Sequence, residues 1–419
     1  MTAAALTSPA AAARTVTTVR SDTAAELVDL LPSGGGLSWV RNGEGLVGWG
    51  EAARLEVTGP RALADAAAWW DEYTAGLDVD DELGVPGSGP VAFGSIAFDP
   101  VAGTSVFVVP EVVAGRRGGV GWITAIGTAP LLPERVPRGN GPTPRLRYAD
   151  GALDPASWCA AVADAVGRID AGELAKVVLA RDLLASSDVP LEPRRILRRL
   201  ADRFPGCWTF AVDGLLGATP ELLLRRTGRR LSARVLAGTA PRGAGAEDER
   251  LALSLLTSAK DRAEHALAVD SLLRALEPYC DGLDAPVQPQ LLTLANVRHL
   301  ATDVVGTQAA LGRAAGAGLL ELVGAVHPTA AVCGTPTPDA AALITELEGM
   351  DRGRYAGPVG WLDARGDGEF GLALRCAELI GDDGARLFAG CGIVAGSDPA
   401  AELAETQSKF AAFQDALEG

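Results

Sequence analysis

The sequence predicts a fold that mixes antiparallel strands with amphipathic helices, and three observations point there. Residues 222–224 and 231–236 are apolar and β-prone and flank a Thr227-Gly228 turn signal, the pattern of a β-hairpin. Residues 91–98, 105–109 and 121–126 read as strands of a meander. Between the strand-like runs lie helical patterns at 61–77, 155–171, 246–279 and 399–417. The 419 residues allow about three average domains or one large one, and a 48% hydrophobic fraction can fill a large core.

Charge narrows the partners. The net charge is −16, which argues against nucleic acid as a partner. An anionic substrate would need a local basic pocket set against that field. Six cysteines are scattered without a C-x-x-C pair, which suits reduced thiols in a cytoplasm better than a disulfide framework or a zinc site. No run of ~18 apolar residues marks a membrane span. Residues 1–14 are Ala-rich, with Arg14 alone carrying charge, and read as a disordered leader. Residues 129–146 hold five prolines and read as a linker or an edge-crossing loop.

The hairpin carries unusual chemistry at its two outer ends. Thr219-Pro220-Glu221 places one carboxylate on a stiffened chain. Gly238-Thr239 at the other end lets backbone approach a ligand, because glycine has no Cβ. Folding the hairpin brings the ends together; the alternative is an ordinary hairpin with Glu221 in solvent.

Further along, residues 175–181 read as a strand with Lys176, Val178 and Ala180 on one face. A buried ammonium there needs a partner; otherwise the lysine reaches water at the strand mouth. Within 246–279, Asp261, Glu264 and His265 can share a helix face. A strand at 297–305 carries Arg298 and His299, a helix spans 315–324, a loop runs from His327 to Pro336, and a helix spans 339–349. Residues 355–379 read as two strands around Arg365-Gly366-Asp367-Gly368, with Arg375 projecting from a face of small residues or lying on a solvated one. Gly390 and Gly392 share a strand face, and Glu402, Glu405 and Lys409 share a helix face.

Three constellations follow. The pairs Asp261/Glu264 and Glu402/Glu405 offer hard oxygen ligands of the kind Mg²⁺ takes, or form solvated helix faces. Lys176 and Glu221 supply residue types for a general base and a general acid. Arg375, Lys409 and the backbone around Gly238-Thr239 and 390–392 could hold carboxylates. No nucleophile elbow, Walker A loop or dinucleotide fingerprint is present.

These pieces resemble the chorismate-utilising enzymes over 148–419. The motifs, in order, are KVVLARD from Lys176, GATPELL with Glu221, LAGTAPRG with Gly238, SAKDRAEH with Glu264 and VRHL with His299. HPTAAVCGTP with Ala331, DRGRYAGPVG with Tyr355, LALRCAE with Arg375, AGCGIVAGSDP with Gly390 and AELAETQSKF with Glu405 follow. The resemblance implies an α+β fold of two face-to-face antiparallel β-sheets flanked by helices. It implies a single chorismate-binding domain over 15–419, of which 15–147 is the less typical part.

It also implies a reaction. Lys176 matches the base of water-adding members. Ala237 stands where aminodeoxychorismate synthases carry a nucleophilic lysine, and Ala331 where salicylate synthases tend to carry threonine. The expectation is therefore an isochorismate synthase, with salicylate synthase or a non-catalytic chorismate-binding protein as alternatives. The implied roles are catalysis by Lys176, Glu221 and His299, and substrate binding by Gly238, Thr239, Ala331, Tyr355, Arg375, Gly390, Gly392 and Lys409. Mg²⁺ is expected on Glu264 and Glu405 directly, with Asp261 and Glu402 acting through water. A cytoplasmic monomer without a glutamine amidotransferase subunit completes the expectation.

Overall fold

The structure, a computed structural model, describes residues 14–129, 143–295, 297–310 and 316–418. The expected leader lies outside the described residues up to residue 13. Arg14 does not belong to it: it opens β1 (Arg14–Arg20), and its guanidinium donates to Ala52 O at 3.0 Å. After a 3₁₀ turn come β2 (Leu37–Arg41), β3 (Glu44–Trp49), β4 (Ala53–Val57), α1 (Ala62–Ala75) and β5 (Leu77–Asp81). Then follow β6 (Val91–Ser95), β7 (Ser105–Val109), β8 (Val112–Arg117) and β9 (Val120–Ile126). Most of the proline-rich tract, 130–142, also lies outside the described residues.

The second part begins with β10 (Leu146–Asp150), α2 (Pro155–Asp170), β11 (Lys176–Ser187) and α3 (Pro193–Arg203). Next are β12 (Trp208–Val212), β13 (Leu215–Thr219), β14 (Leu222–Thr227) and β15 (Arg230–Pro241). The long helical stretch is two helices, α4 (Ala246–Thr257) and α5 (Ala259–Leu276). Ser258 separates them, because its extended backbone ends one helix while its hydroxyl accepts from Asp261 N and caps the next. There follow β16 (Cys280–Asp284), β17 (Gln290–Thr293), β18 (Val297–Gln308), α6 (Leu319–Val326), β19 (Gly334–Thr335) and α7 (Thr337–Leu347). The chain closes with β20 (Pro358–Asp363), β21 (Gly368–Leu372), β22 (Cys376–Ile380), β23 (Gly384–Ile393) and α8 (Pro399–Glu418).

Among the described residues these strands form two sheets. One runs β10-β11-β23-β22-β13-β12-β2-β3-β8-β9-β1-β5, with β19 on β11. The other runs β16-β18-β15-β14-β21-β20-β6-β7-β4, with β17 on β18. The pairs are antiparallel apart from β1 with β5, which are joined through β2–β4 and α1 and run parallel. β2 pairs with β12 and β6 with β20, so strands from before residue 130 and after residue 143 share both sheets. The expected meander is split: β6 and β7 pair in the second sheet, whereas β9 pairs with β8 and β1 in the first. The chain changes sheets at Pro110-Glu111, where strand alternation carries no signal. Inside the sandwich, large side chains such as Trp39, Phe93, Phe210, Trp361 and Phe370 make one continuous apolar core.

Two other sheet changes position the site. The hairpin of β12 and β13 turns at Asp213-Gly214, both at positive φ (50° and 78°), the turn that matches strand twist. From β13 the chain passes through Pro220-Glu221 into β14, in the other sheet. Residues 373–375 make the reverse passage, from β21 to β22. The passages lie side by side, with Leu372 N donating to Glu221 O at 3.3 Å and Ala218 N to Arg375 O at 3.2 Å.

Glu369, on β21 opposite Arg225 of β14, fixes the strands below this junction. It is buried and takes ion pairs from Arg117 (2.8 Å) and Arg225 (3.1 Å) and hydrogen bonds from the indoles of Trp39 (3.0 Å) and Trp208 (3.3 Å). Burial opposes the charge, but Arg225 and Arg117, then Trp39, outweigh it and bring the carboxyl from 4.5 down to about 2. Such a group stabilises the fold fully above its unfolded value, and the contribution fades as pH falls from 4.5 towards 2. Glu369→Gln is expected to cost about 3 kcal/mol at neutral pH, the low end for a broken buried pair because both guanidiniums reach solvent. Urea melts of both proteins should converge as the pH is lowered through that window.

Candidate active site

The two sheet changes, the start of α5 and the face of α8 surround a cavity that opens to solvent. Glu221, Gly238, Thr239, Asp261, Glu264 and His299 line one part of it. Ala331, Tyr355, Arg375, Gly390, Gly392, Glu402, Glu405 and Lys409 line the rest. Lys176 lies just behind Gly392, whose added Cβ would stand 3.0 Å from the lysine Cε. The residues singled out from sequence are thus brought to one place.

Lys176 sits at the start of β11, clamped between β23 and the short β19. It is 0% exposed, which rules out the strand-mouth alternative. Its Nζ lies 3.1 Å from Glu264 Oε1, outside hydrogen-bonding alignment, so the ammonium position is paired in charge and unsatisfied as a donor. Glu221 is 5% exposed, not in solvent, and Leu236 N approaches its Oε1 at 3.5 Å across the hairpin. Burial raises its pKa from 4.5 to about 8, against the opposite pull of Leu236 N, Lys176, Lys409 and Arg375. At neutral pH this carboxyl therefore holds a proton.

Four further carboxylates crowd the same space, and three of them meet a lysine. Glu264 faces Lys176, Glu402 accepts from Lys260 Nζ at 3.1 Å, and Glu405 pairs with Lys409 Nζ at 2.7 Å. Asp261 is held above the ordinary carboxylate range by burial and by the neighbouring charges of Glu264 and Glu405. Among the described residues no three His, Cys, Asp or Glu side chains already converge on one point. The donor chemistry nonetheless fits a hard divalent cation, since oxygen ligands that repel one another gain from a shared positive charge. His265, placed by periodicity on this carboxylate face, instead meets Ala237 O (3.2 Å) and Thr302 Oγ1 (2.8 Å) and ties α5 to the sheet.

The anion-binding end departs from the strand reading. β21 stops at Leu372, and Arg375 stands at φ +50°, so the alternation that puts it on a face of small residues does not continue that far. A left-handed non-glycine residue costs roughly 1–3 kcal/mol and persists only where neighbours over-determine it. Here the Ala218–Arg375 bond and the β22 pairing do so. Arg375 Nη2 lies 2.8 Å from His299 Nε2, and His299 Nδ1 lies 3.1 Å from Thr239 Oγ1. Burial, then Arg375 and Lys409, keep His299 well below its ordinary pKa, hence neutral. Gly238 is the extra residue of a β-bulge at φ +77°, where the β15–β18 register shifts. Tyr355 stacks on Phe388 at 5.0 Å, and Lys409 Nζ also donates to Gly390 O at 2.7 Å.

Two lining residues escape a reading of the sequence alone. Lys260 sits inside the SAKDRAEH motif as an ordinary helix lysine until α8 is placed beside it. Arg352 is buried, pairs with Glu348 and donates to Val332 O (2.9 Å) and Val178 O (2.8 Å), so it fixes the loop that carries Ala331. The Glu348/Arg352 spacing of four is the available signal.

Space is tightest at Gly392. A Cβ there would stand 2.1 Å from Glu264 Oε1 and 2.9 Å from its Cδ. Gly392→Ala is expected to cost about 1–3 kcal/mol by overpacking and to push Glu264 away from Lys176. A thermal melt and a crystal structure of the variant check both effects.

With this geometry in place, comparison with known proteins gives the class. The profile of a family described as chorismate binding enzyme matches residues 136–418, and this chain belongs to that family. A Mycobacterium tuberculosis (strain H37Rv) protein provisionally named isochorismate synthase MenF is 41% identical over 346 residues, 79% of this chain and 87% of its own length. Isochorismate synthase DhbC of Bacillus subtilis (strain 168) is 38% identical over 335 residues, 77% of this chain and 79% of its own. The solved structure of MenF, the menaquinone-specific isochorismate synthase of Escherichia coli, superposes with a TM-score of 0.78 at 25% identity, covering 97% of this chain and 95% of that one.

Proposed function

We propose that this chain is an isochorismate synthase, which adds water at C2 of chorismate with loss of the C4 hydroxyl. The observation that carries the reading is a cavity lined by a buried carboxyl, Glu221, whose pKa burial pushes up, and backed by a buried lysine, Lys176, just behind Gly392. Lys176 as the base, Ala237 in place of an amine nucleophile and Ala331 together favour water as the attacking group, and no glutamine amidotransferase is then needed. The family membership and the names of the relatives support the same reading; menaquinone or siderophore biosynthesis is the proposed use of the product, and the menaquinone-specific relative supports the first.

The chain's residues divide the work. Lys176, acting as the neutral amine, removes a proton from water as the water oxygen bonds to ring C2. The ring double bonds shift, the C4–O bond breaks, and Glu221 protonates the departing hydroxyl, which leaves as water. Arg375, Tyr355 and the backbone of 390–392 hold the enolpyruvyl carboxylate. Glu264 and Glu405 would hold Mg²⁺, with Asp261 and Glu402 supporting them. When bound, the ion supplies positive charge for the ring carboxylate. No helix among the described residues is long and apolar enough to cross a membrane. All six cysteines are free thiols, which fits a reducing cytoplasm.

Incubation with chorismate and Mg²⁺, followed by chromatography, should yield isochorismate without pyruvate. Salicylate plus pyruvate would make it a salicylate synthase, and binding without turnover a ligand-binding protein. Lys176→Ala and Glu221→Gln should each lower kcat by roughly 10²–10⁴ with the fold intact, the usual range for a lost acid or base. The acid works protonated, so wild-type activity should fall as pH rises through about 8. Retention of full activity well above that pH would remove Glu221 from the acid role.

A further inference from the structure

His299 faces the cavity, yet the reaction above gives it no proton to move. We infer that Thr239 and His299 form a fixed relay that aims the Arg375 guanidinium into the cavity, which makes His299 and Thr239 positioning residues. A guanidinium has donors only, so the 2.8 Å contact from Arg375 Nη2 requires a bare lone pair on His299 Nε2. In a neutral ring the single proton then sits on Nδ1, which donates to Thr239 Oγ1 at 3.1 Å. With Nε2 committed to Arg375 and Nδ1–H to Thr239, neither nitrogen is available to substrate.

The bulge at Gly238 is what makes the relay possible. Strand side chains alternate, so one extra residue moves every later side chain of β15 to the other face. The shift brings Thr239 directly opposite His299 in the β15–β18 pairing. Arg375 needs such support. It stands at a strained φ, and among the described residues no carboxylate lies within ion-pair distance of it. The guanidinium nitrogens that His299 does not engage remain for an incoming carboxylate.

The relay is a property of the unliganded protein. That the carboxylate it serves belongs to chorismate rests on the proposed function. Two measurements separate these statements. The chain has three histidines, so ¹⁵N spectra of the labelled, ligand-free protein can be assigned with single His→Gln variants. His299 should show a protonated Nδ1 and a bare Nε2 at pH 7; a protonated Nε2 or an imidazolium overturns the relay whether or not the protein turns chorismate over. In kinetics, Thr239→Val should raise KM for chorismate about tenfold while kcat falls by about threefold at most, the mark of a loosened anchor. Thr239→Ser should restore it. An unchanged KM in Thr239→Val, or loss confined to kcat, contradicts the positioning role. Should wild type show no turnover, the calorimetric Kd for chorismate takes the place of KM.

Discussion

Leu372 donates its N–H to Glu221 O, and Ala218 donates to Arg375 O, where the chain changes sheets in opposite directions. The rest of the site depends on this pair of bonds. They hold the acid and the anion anchor against one another at a point where neither residue belongs to a strand. Together the two crossovers inherit the rigidity of both sheets, because β13 and β22 pair in one and β14 and β21 in the other. Precise placement of reacting groups is worth most when the supporting elements are rigid.

Charge balance is the second constraint. The chain carries −16 overall, yet the cavity sets Lys260, Lys409 and Arg375 beside Asp261, Glu264, Glu402 and Glu405, with Lys176 behind Glu264. Glu221 stands apart as the carboxyl whose charge burial suppresses. A dicarboxylate substrate and one divalent cation cancel in charge, so the two enter together without adding net charge to the site.

What is legible in the sequence follows from local rules. The hairpin at 222–241, the helix faces carrying Glu264 and Glu405, and the buried strand at Lys176 rest on periodicity and turn chemistry, which tertiary structure leaves intact. The departures share one cause. Alternation assumes that a strand continues, but the chain leaves its sheet at 110–111 and at 373–375, so the meander and the face assigned to Arg375 both fall elsewhere. Lys260 and Arg352 acquire meaning only from partners far away in sequence, on α8 and on the 327–336 loop. The Asp213-Gly214 turn is a readable hairpin signal that alternation alone does not use.

Lys176 and Glu221 work as base and acid on separate oxygens, one arriving and one leaving, and this division of roles is the centre of the proposed chemistry. The most direct measurement is turnover of chorismate in ¹⁸O-labelled water, with the product analysed by mass spectrometry before appreciable reversal. The expected product is isochorismate carrying one ¹⁸O, located in the C2 hydroxyl. Unlabelled isochorismate would mean that the original hydroxyl migrates without exchange, and would contradict the division of roles between the two residues.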